Sequence, residues 1–139
     1  MPAFDEVEVG TEIPAQEFQI KRDNLVRYAG ASGDFNVIHW NERVAKSVGL
    51  PNVIAHGRLT MATAGRVVTD WAGDPGRVVQ YGVRFSRPVV VEDDDQGATL
   101  TVSGVVEEKN DDGTVVVGLT ATVEGNKVLM GARATVRLS

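Results

Sequence analysis

Hydrophobic and polar residues alternate with a period of two along most of the second half of the chain. Residues 98–108 place Leu100, Val102, Gly104 and Val106 on one face and threonine or serine residues on the other. The same pattern continues through residues 115–123 and 128–138, with an Asp-Gly pair before the first run and an EGNK turn before the second. This period predicts an antiparallel meander with one buried and one wet face.

Two further runs assign specific residues to the buried face. In residues 78–89 the shared face consists of Val79, Tyr81, Val83 and Phe85. In the last run it consists of Met130, Ala132, Ala134, Val136 and Leu138. Because side chains point to opposite faces of a strand in turn, each set is expected to face the core.

The first half of the chain contains helical patterns. Residues 20–30 predict a short helix that Asp23 caps and Gly30 ends, and another short helix is predicted near residues 41–50. Residues 55–73 predict a longer helix that Gly73 terminates. Its apolar and small residues run all around it, and no charge lies between Arg58 and Arg66. Such a helix is expected to be buried on most sides.

One buried helix and a strongly curved antiparallel sheet predict the α+β class. A sheet wrapped around one long central helix would bury that helix on nearly all sides, which is the hot-dog arrangement. The 139 residues suit a single domain over residues 1–139, because no repeat, linker or low-complexity tract divides them.

Composition and charge narrow the classes of function. The net charge of −5 disfavours a general nucleic-acid binder, and the absence of cysteine excludes a thiol nucleophile and a thiolate metal site. We expect a cytoplasmic protein without membrane insertion, because neither a signal peptide nor an apolar run of roughly 20 residues is present. Residues 56–87 contain five arginines against two aspartates. They form either a solvated face or a mouth for a phosphate-bearing ligand or an acidic carrier protein.

The stretch YAGASGDFNVIH at residues 28–39 carries the strongest candidate chemistry. Asp34 and His39 could form an acid–base pair, and Gly33 allows a tight turn before the carboxylate. The stretch and the residue after it also supply polar groups at Ser32 and Asn36 and apolar residues at Val37, Ile38 and Trp40. The apolar residues are expected to desolvate the pair and tune its pKa values. The alternative is a hydrogen-bonded structural pair.

His56 and Gly57 form a second candidate. If the long helix begins there, the N–H of Gly57 is a free donor at the positive end of the helix dipole, where it could stabilise a developing oxyanion. Glycine would also let a ligand carbonyl approach closely. The side chain of His56 is interpreted as a packed group that ties the loop to the core.

These motifs resemble the hydratase signature of the MaoC-type (R)-specific enoyl hydratases. The matching residues are Tyr28, Ser32, Gly33, Asp34, Asn36, Ile38, His39 and Ala45. IAHGRLTMA at residues 54–62 resembles the start of the family's central helix, and Val37 stands where the family usually has proline. The resemblance covers nearly the whole chain and is greatest to the catalytic B-type subunit of actinobacterial (3R)-hydroxyacyl-ACP dehydratases.

The resemblance implies a hydro-lyase of fatty-acid metabolism that reversibly hydrates trans-2-enoyl thioesters with syn stereochemistry. Asp34 and His39 would share one water, Asn36 would orient the water or the carboxylate, and the Gly57 amide would hold the thioester oxygen. The substrate-binding residues would be Tyr28, Ser32, Gly33, Ile38 and His56. No metal or other cofactor is implied, because the acyl group arrives on CoA or on the phosphopantetheine of an acyl carrier protein. A homodimer, or a heterodimer with a second hot-dog subunit, is expected.

Two rival functions remain open. A hot-dog acyl-CoA thioesterase generally needs a carboxylate on or near the central helix, and residues 57–69 contain none. A non-catalytic acyl-binding subunit would be expected to lack the acid–base pair, both members of which are retained here. The sequence does not assign which of Asp34 and His39 is the base, nor which arginines contact phosphate.

Overall fold

The computed structural model describes residues 2–138, which form three α-helices and six strands. The helices are α1 (Arg22–Ser32), α2 (Glu42–Ser47) and α3 (Gly57–Ala72). The strands are β1 (Glu12–Ile20), β2 (Val78–Phe85), β3 (Ala98–Lys109), β4 (Thr114–Val123), β5 (Asn126–Lys127) and β6 (Leu129–Arg137). Short 3-10 turns cover Phe4–Glu6, Val37–His39 and Pro75–Arg77.

The strands form one antiparallel sheet in the order β1-β3-β4-β6-β2, and β5 pairs with β4. The predicted meander is confirmed from β3 to β6 but is wrong for β2. This strand pairs with β6 at one edge, and residues 86–97 carry the chain across to β3. Sequence periodicity reports faces of strands and contains no information on which strands become neighbours.

The sheet curves around α3, which contacts all five long strands. The helix buries Thr60, Ala64, Val67, Val68 and Ala72 against it. The inner face of the sheet contributes the predicted side chains of β3, together with those of β4 and β6. The α+β hot-dog arrangement is therefore confirmed. Within residues 2–138, no helix is long and apolar enough to cross a membrane.

The prediction that α3 is buried on most sides is confirmed, but one side of the helix is open. One stripe of the helix is exposed at successive turns: Arg58, Ala62, Arg66 and Asp70. Small residues make a helix suitable for burial on any side, but they do not show which side its own sheet covers. The structure leaves one face of α3 open beside β2.

Three assignments to the buried face are wrong. Val79 is exposed because the β2–β6 register shifts between Val78 and Gln80, so that Val78 packs against the core instead. A second register shift between β2 and β6 includes Gly131, which has a φ of +56°. As a result Leu129 is buried in the core, and Met130 is exposed. Phe85, the last residue of β2, is also exposed.

The predicted ends of α1 are wrong, and the correction positions the site. Lys21 rather than Asp23 is the N-cap residue, and its N–H donates to Oδ1 of Asn24 at 2.8 Å. The helix continues through Gly30 and ends at Gly33, which adopts a left-handed φ of +78°. Glycine adopts this conformation without strain, so the loop that carries Asp34 begins here.

Candidate active site

A tight succession of turns connects α1 to His39. The N–H of Asn36 donates to Oδ1 of Asp34 at 3.1 Å, and the N–H of Ile38 donates to Oδ1 of Asn36 at 3.2 Å. Ser32 supports the same loop, because its Oγ accepts the N–H of Asp34 at 3.1 Å. Aspartate, asparagine and serine favour such local bonds to the backbone, which explains the loop's shape.

These contacts refine three sequence assignments. Asn36 holds the carboxylate of Asp34 through its backbone amide, while its side chain caps the 3-10 turn. The side chain of Ser32 is engaged with the loop itself. Ile38 is partly buried, and its carbonyl accepts the N–H of Ile54 at 3.2 Å. The substrate-binding roles of Ser32 and Ile38 stay predictions.

The apolar cover predicted from Val37 and Trp40 is not present in this chain. Both side chains face outward, with exposures of 38% and 50%, and the indole N–H of Trp40 donates to the carbonyl of Phe35 at 2.9 Å. Asp34 is itself exposed. His39, in contrast, is 8% exposed, and the imidazole of His56 is stacked on its ring.

The nitrogens of His39 are distinguished by their surroundings. Nδ1 lies 2.7 Å from the carbonyl oxygen of Ile54. A carbonyl only accepts, so Nδ1 carries the proton in the neutral ring and Nε2 keeps a lone pair. His39 can therefore accept a proton at Nε2 without changing its hydrogen bond to the main chain.

Asp34, His39 and His56 lie together. One ligand atom from each lies within 4.8 Å of the other two. His56 is 2% exposed, and its ring stacks on that of His39 with 3.9 Å between centroids. Its Nε2 lies 3.1 Å from the carbonyl oxygen of Asp34. Burial lowers the pKa of His56, which favours a neutral ring that donates from Nε2.

Two nitrogens and a carboxylate at this separation also resemble a set of metal ligands. The donors of His56 do not fit that use. Its Nε2 is directed to Asp34, and its Nδ1 is buried without a partner among residues 2–138. As placed, His56 could bind an ion only by giving up its contact with Asp34 or through an Nδ1 that is closed off from solvent.

Two cavities meet at the N-terminus of α3. One, of about 480 Å³, is lined by Tyr28, Ser32, Asp34, His56, Gly57, Arg58 and Phe85. The other, of about 310 Å³, contains His39, Gly57, Thr60 and Phe85 in its lining. Gly57 is the first residue of α3, so its N–H has no acceptor within the helix.

Phe85 was missed as a site residue by the sequence analysis. A Cβ added at Gly57 would lie 3.1 Å from two ring atoms of Phe85, so this ring covers the glycine where the two cavities adjoin. The period-two pattern assigned Phe85 to the core, and no local signal placed it beside Gly57. The Ile54 carbonyl was missed too, because main-chain partners leave no trace in residue types.

Among the arginines of residues 56–87, two line the cavities of the site. Arg58 borders the cavity of Asp34, and Arg87 borders that of His39. Arg66 instead lies over the ring of Phe18 at 4.9 Å, and Arg77 donates to the carbonyl of Arg137 at 3.2 Å.

Comparison with known proteins identifies the family of this chain. The MaoC like domain model matches residues 6–126. 3-hydroxyacyl-thioester dehydratase X of Mycobacterium tuberculosis is 36% identical over 81% of this chain and 39% of its own length. The (R)-specific enoyl-CoA hydratase of Rhodospirillum rubrum is 35% identical over 84% of this chain and 78% of its own length.

Solved structures agree with this fold. A MaoC-like dehydratase superposes with a TM-score of 0.95 at 42% identity, over 99% of this chain and 42% of that one. The chain thus spans about two fifths of the length of this structure and of the M. tuberculosis dehydratase. Two M. tuberculosis complexes, ChsH1-ChsH2 and HadBC, contain the fold at 24% and 21% identity, with TM-scores of 0.80 and 0.71.

The resemblance to a B-type subunit stays a prediction, since 21% identity to a chain of HadBC shows the fold alone. The match over residues 6–126 and the two relatives with at least 35% identity show the family itself. The chain belongs to the MaoC-like domain family.

Proposed function

We propose that this chain is a hydro-lyase that reversibly adds water to trans-2-enoyl thioesters and forms (3R)-3-hydroxyacyl thioesters. The observation that carries the proposal is the convergence of Asp34 and His39 beside the free amide of Gly57. Relatives named as an (R)-specific enoyl-CoA hydratase and a 3-hydroxyacyl-thioester dehydratase support it. The two names describe the two directions of one equilibrium.

In hydration, the Asp34–His39 pair binds one water. The pair takes a proton from the water, the water's O–H adds to C3, and the pair returns a proton to C2 on the same face of the double bond. His39 supplies the proton acceptor, because its Nε2 keeps a lone pair. Asp34 holds the water opposite, through a carboxylate that the Asn36 amide fixes. Dehydration reverses each step, so the pair regains its starting protonation state.

The Gly57 amide stabilises the intermediate charge. As the nucleophile adds to C3, negative charge develops on the thioester oxygen, where an N–H at a helix N-terminus is favourable. Such preorganised donors contribute roughly 10²–10³ in rate. A Cβ at Gly57 would lie 3.1 Å from the ring of Phe85, so the thioester reaches this amide when that exposed ring moves aside.

We propose CoA or the phosphopantetheine of an acyl carrier protein as the carrier, with no other cofactor. Arg58 and Arg87 support this proposal because each borders one cavity of the site. A guanidinium at the mouth of a cavity binds phosphate oxygens by charge-assisted hydrogen bonds. Tyr28, which lines the cavity of Asp34, then contacts the acyl part of the substrate.

We further propose that the chain pairs with a second hot-dog unit, either a copy of itself or a distinct subunit. The support lies beside β2, where an apolar recess of about 190 Å³ is lined by residues of α3, β2 and β6, including Ala62, Gly65 and Val78. The opposite edge is less suited to pairing, because β1 contains Pro14 and a register shift between Ile13 and Gln16.

Thioester hydrolysis is not favoured by the geometry. The only carboxylate of α3 is Asp70, which lies on the exposed stripe near the helix's far end. The decisive experiment follows the enoyl absorbance of crotonyl-CoA and, in parallel, free thiol release. Loss of absorbance without thiol supports the hydro-lyase. Thiol release would establish a thioesterase, and inertness both alone and with a co-expressed hot-dog partner would indicate a non-catalytic subunit.

A further inference from the structure

His56 occupies the N-cap position of α3, yet its side chain does not cap the helix. Side chains at this position usually accept an N–H from the first helical turn. The imidazole of His56 is instead turned into the protein, where it is among the largest fully buried side chains. Its contacts there are with the two residues of the proposed catalytic pair and with Tyr28.

The first contact is between ring faces. The rings of His39 and His56 are stacked, with centroids 3.9 Å apart and planes 20° from parallel. Tyr28 closes the other side of His56, at 4.7 Å and 53°. His39 is thus held by a ring on its face and by the Ile54 carbonyl at its edge, 2.7 Å from Nδ1. The χ2 torsion of a histidine has a broad distribution, because the backbone does not restrict it. Stacking on His56 therefore limits the rotation of the His39 ring about χ2.

The second contact is with Asp34. Nε2 of His56 donates to the Asp34 carbonyl oxygen at 3.1 Å, across 22 residues of sequence. The remaining anchors of Asp34 come from its own loop, namely Ser32 and Asn36. His56 is therefore the group that ties the acidic residue to the start of α3, and hence to Gly57.

The other nitrogen of His56 shows that these contacts need a neutral ring. Nδ1 is buried and has no hydrogen-bond partner among residues 2–138. A cationic ring would place an unsatisfied buried N–H there, on a ring whose centroid lies 3.9 Å from that of a second imidazole. The ring therefore persists as the tautomer that is protonated at Nε2, and its lone pair stays shielded.

We propose that His56 is the positioning residue of the site: its ring sets the spacing of Asp34 and His39, one by a hydrogen bond and the other by stacking, without touching the substrate's reacting atoms. The inference rests on the proposed hydro-lyase function and gives His56 a role other than the substrate binding that the family resemblance implies. It predicts that each contact contributes separately to turnover.

Two variants separate the contacts in the full chain. His56→Phe keeps a stacking ring and removes the donor, whereas His56→Gln keeps a donor and removes the ring. With crotonyl-CoA as the probe, we expect kcat to fall roughly 10-fold in each and on the order of 100-fold in His56→Ala, while KM changes less than about threefold. Val67→Ala is the matched control, since Val67 is fully buried on α3 away from the site. It should lower the unfolding temperature and leave kcat unchanged.

A ¹⁵N NMR measurement of the imidazoles tests the geometry without activity. The chain has only two histidines, so the spectrum contains two rings. In the wild type we expect His39 protonated at Nδ1 and His56 at Nε2, and in His56→Ala we expect mixed tautomers for His39. An inert wild type would contradict the proposed function, while these tautomers would still test the positioning. Folded Phe and Gln variants that both keep wild-type kcat, or a loss confined to KM, would overturn the positioning role.

Discussion

The Nδ1 atom of His39 lies 2.7 Å from the carbonyl oxygen of Ile54, so the main chain sets the tautomer of this imidazole. Ile54 is held on both sides, because its N–H donates to the Ile38 carbonyl and its backbone pairs with Val90 in an isolated bridge. No side-chain substitution at Ile54 removes the carbonyl. The free Nε2 of His39 therefore depends on this carbonyl and on the stacked ring of His56, which keeps the imidazole beside it. The chemistry of the pair can be tested by changing the two proposed catalytic side chains themselves.

Replacing either member of the pair should abolish most turnover. Asp34→Asn keeps an oxygen that can accept the Asn36 amide but loses the charge, and His39→Gln loses the proton acceptor at Nε2. We expect kcat for crotonyl-CoA hydration to fall by about 10² or more in each. Asp23→Asn makes the same chemical change on an exposed part of α1 and should leave kcat unaltered. Near-normal kcat in the folded Asp34 and His39 variants would remove the pair from the mechanism.

The pair could be predicted from the sequence because it depends on short-range geometry. Gly33 ends α1, and one 3-10 turn then brings His39 back to the carboxylate five residues earlier. His56 and Phe85 reach the site from 22 and 51 residues beyond Asp34, and only the fold brings them together. Their contacts with His39 and Gly57 leave no local pattern that could be interpreted beforehand.

For the fold too, regular local patterns were predicted correctly and irregular ones were not. The faces of β3 were predicted correctly at Leu100, Val102 and Val106, where the pleat is regular. Val79 and Met130 were misassigned because register shifts change the phase of the alternation in β2 and β6. The strand β1 was not predicted at all, since its own shift breaks the period and it contains Pro14.

The two glycines of α3 that face aromatic rings provide a test of the amide at Gly57. A Cβ at Gly57 would lie 3.1 Å from the exposed ring of Phe85, and a Cβ at Gly65 would lie 3.0 Å from Tyr81. Phe85 can move aside, whereas the hydroxyl of Tyr81 donates to the Met61 carbonyl at 2.6 Å. Gly57→Ala should therefore keep its stability and lose roughly 10-fold or more in kcat, because the methyl group hinders the approach of the thioester oxygen.

Gly65→Ala should show the opposite profile, with a lower free energy of unfolding in urea and an unchanged kcat. Alanine favours the interior of a helix over glycine by about 1 kcal/mol, which offsets part of the clash between Gly65→Ala and Tyr81. Gly57 is the first residue of α3, so Gly57→Ala gains less from this preference. A Gly57→Ala variant that hydrates crotonyl-CoA at the wild-type rate would show that this amide does not bind the thioester oxygen.

Arg58→Gln should weaken binding of the carrier and leave the chemistry intact. Arg58 is exposed at the mouth of the cavity that contains Asp34, so its guanidinium can meet a phosphate without ordering the site. We expect KM for crotonyl-CoA to rise about three- to tenfold, with kcat unchanged and with less dependence of KM on salt. Arg77→Gln is the control, since Arg77 lies beyond the other end of α3 and bonds to Arg137. If Arg58→Gln and Arg77→Gln had the same KM, Arg58 would not be the residue that binds the phosphate.

Burial of His56 makes the protein's stability depend on pH on the acidic side. Desolvation lowers its pKa below the ordinary 6.5, so the unfolded chain binds more protons than the folded chain as the pH falls through that value. The free energy of unfolding should therefore decrease as the medium is acidified below about pH 6.5. His56→Phe retains the packed ring without the titrating nitrogen, so its urea unfolding should show a shallower decrease. Parallel pH dependences in the two proteins would contradict a neutral, buried His56.

The open face of α3 is expected to be covered by the second hot-dog unit, and Ala62 lies at its centre. This residue is exposed in the single chain, between Arg58 and Arg66 on successive turns, and it borders the apolar recess beside β2. Ala62→Asp should reduce the mass of a homodimer in solution to that of one chain, because a partner seated on the apolar recess would remove the added carboxylate from water. Ala15→Asp, on the exposed face of β1 at the opposite edge, should leave the mass unchanged. If Ala15→Asp lowers the mass to that of one chain and Ala62→Asp does not, the units pair through β1 instead.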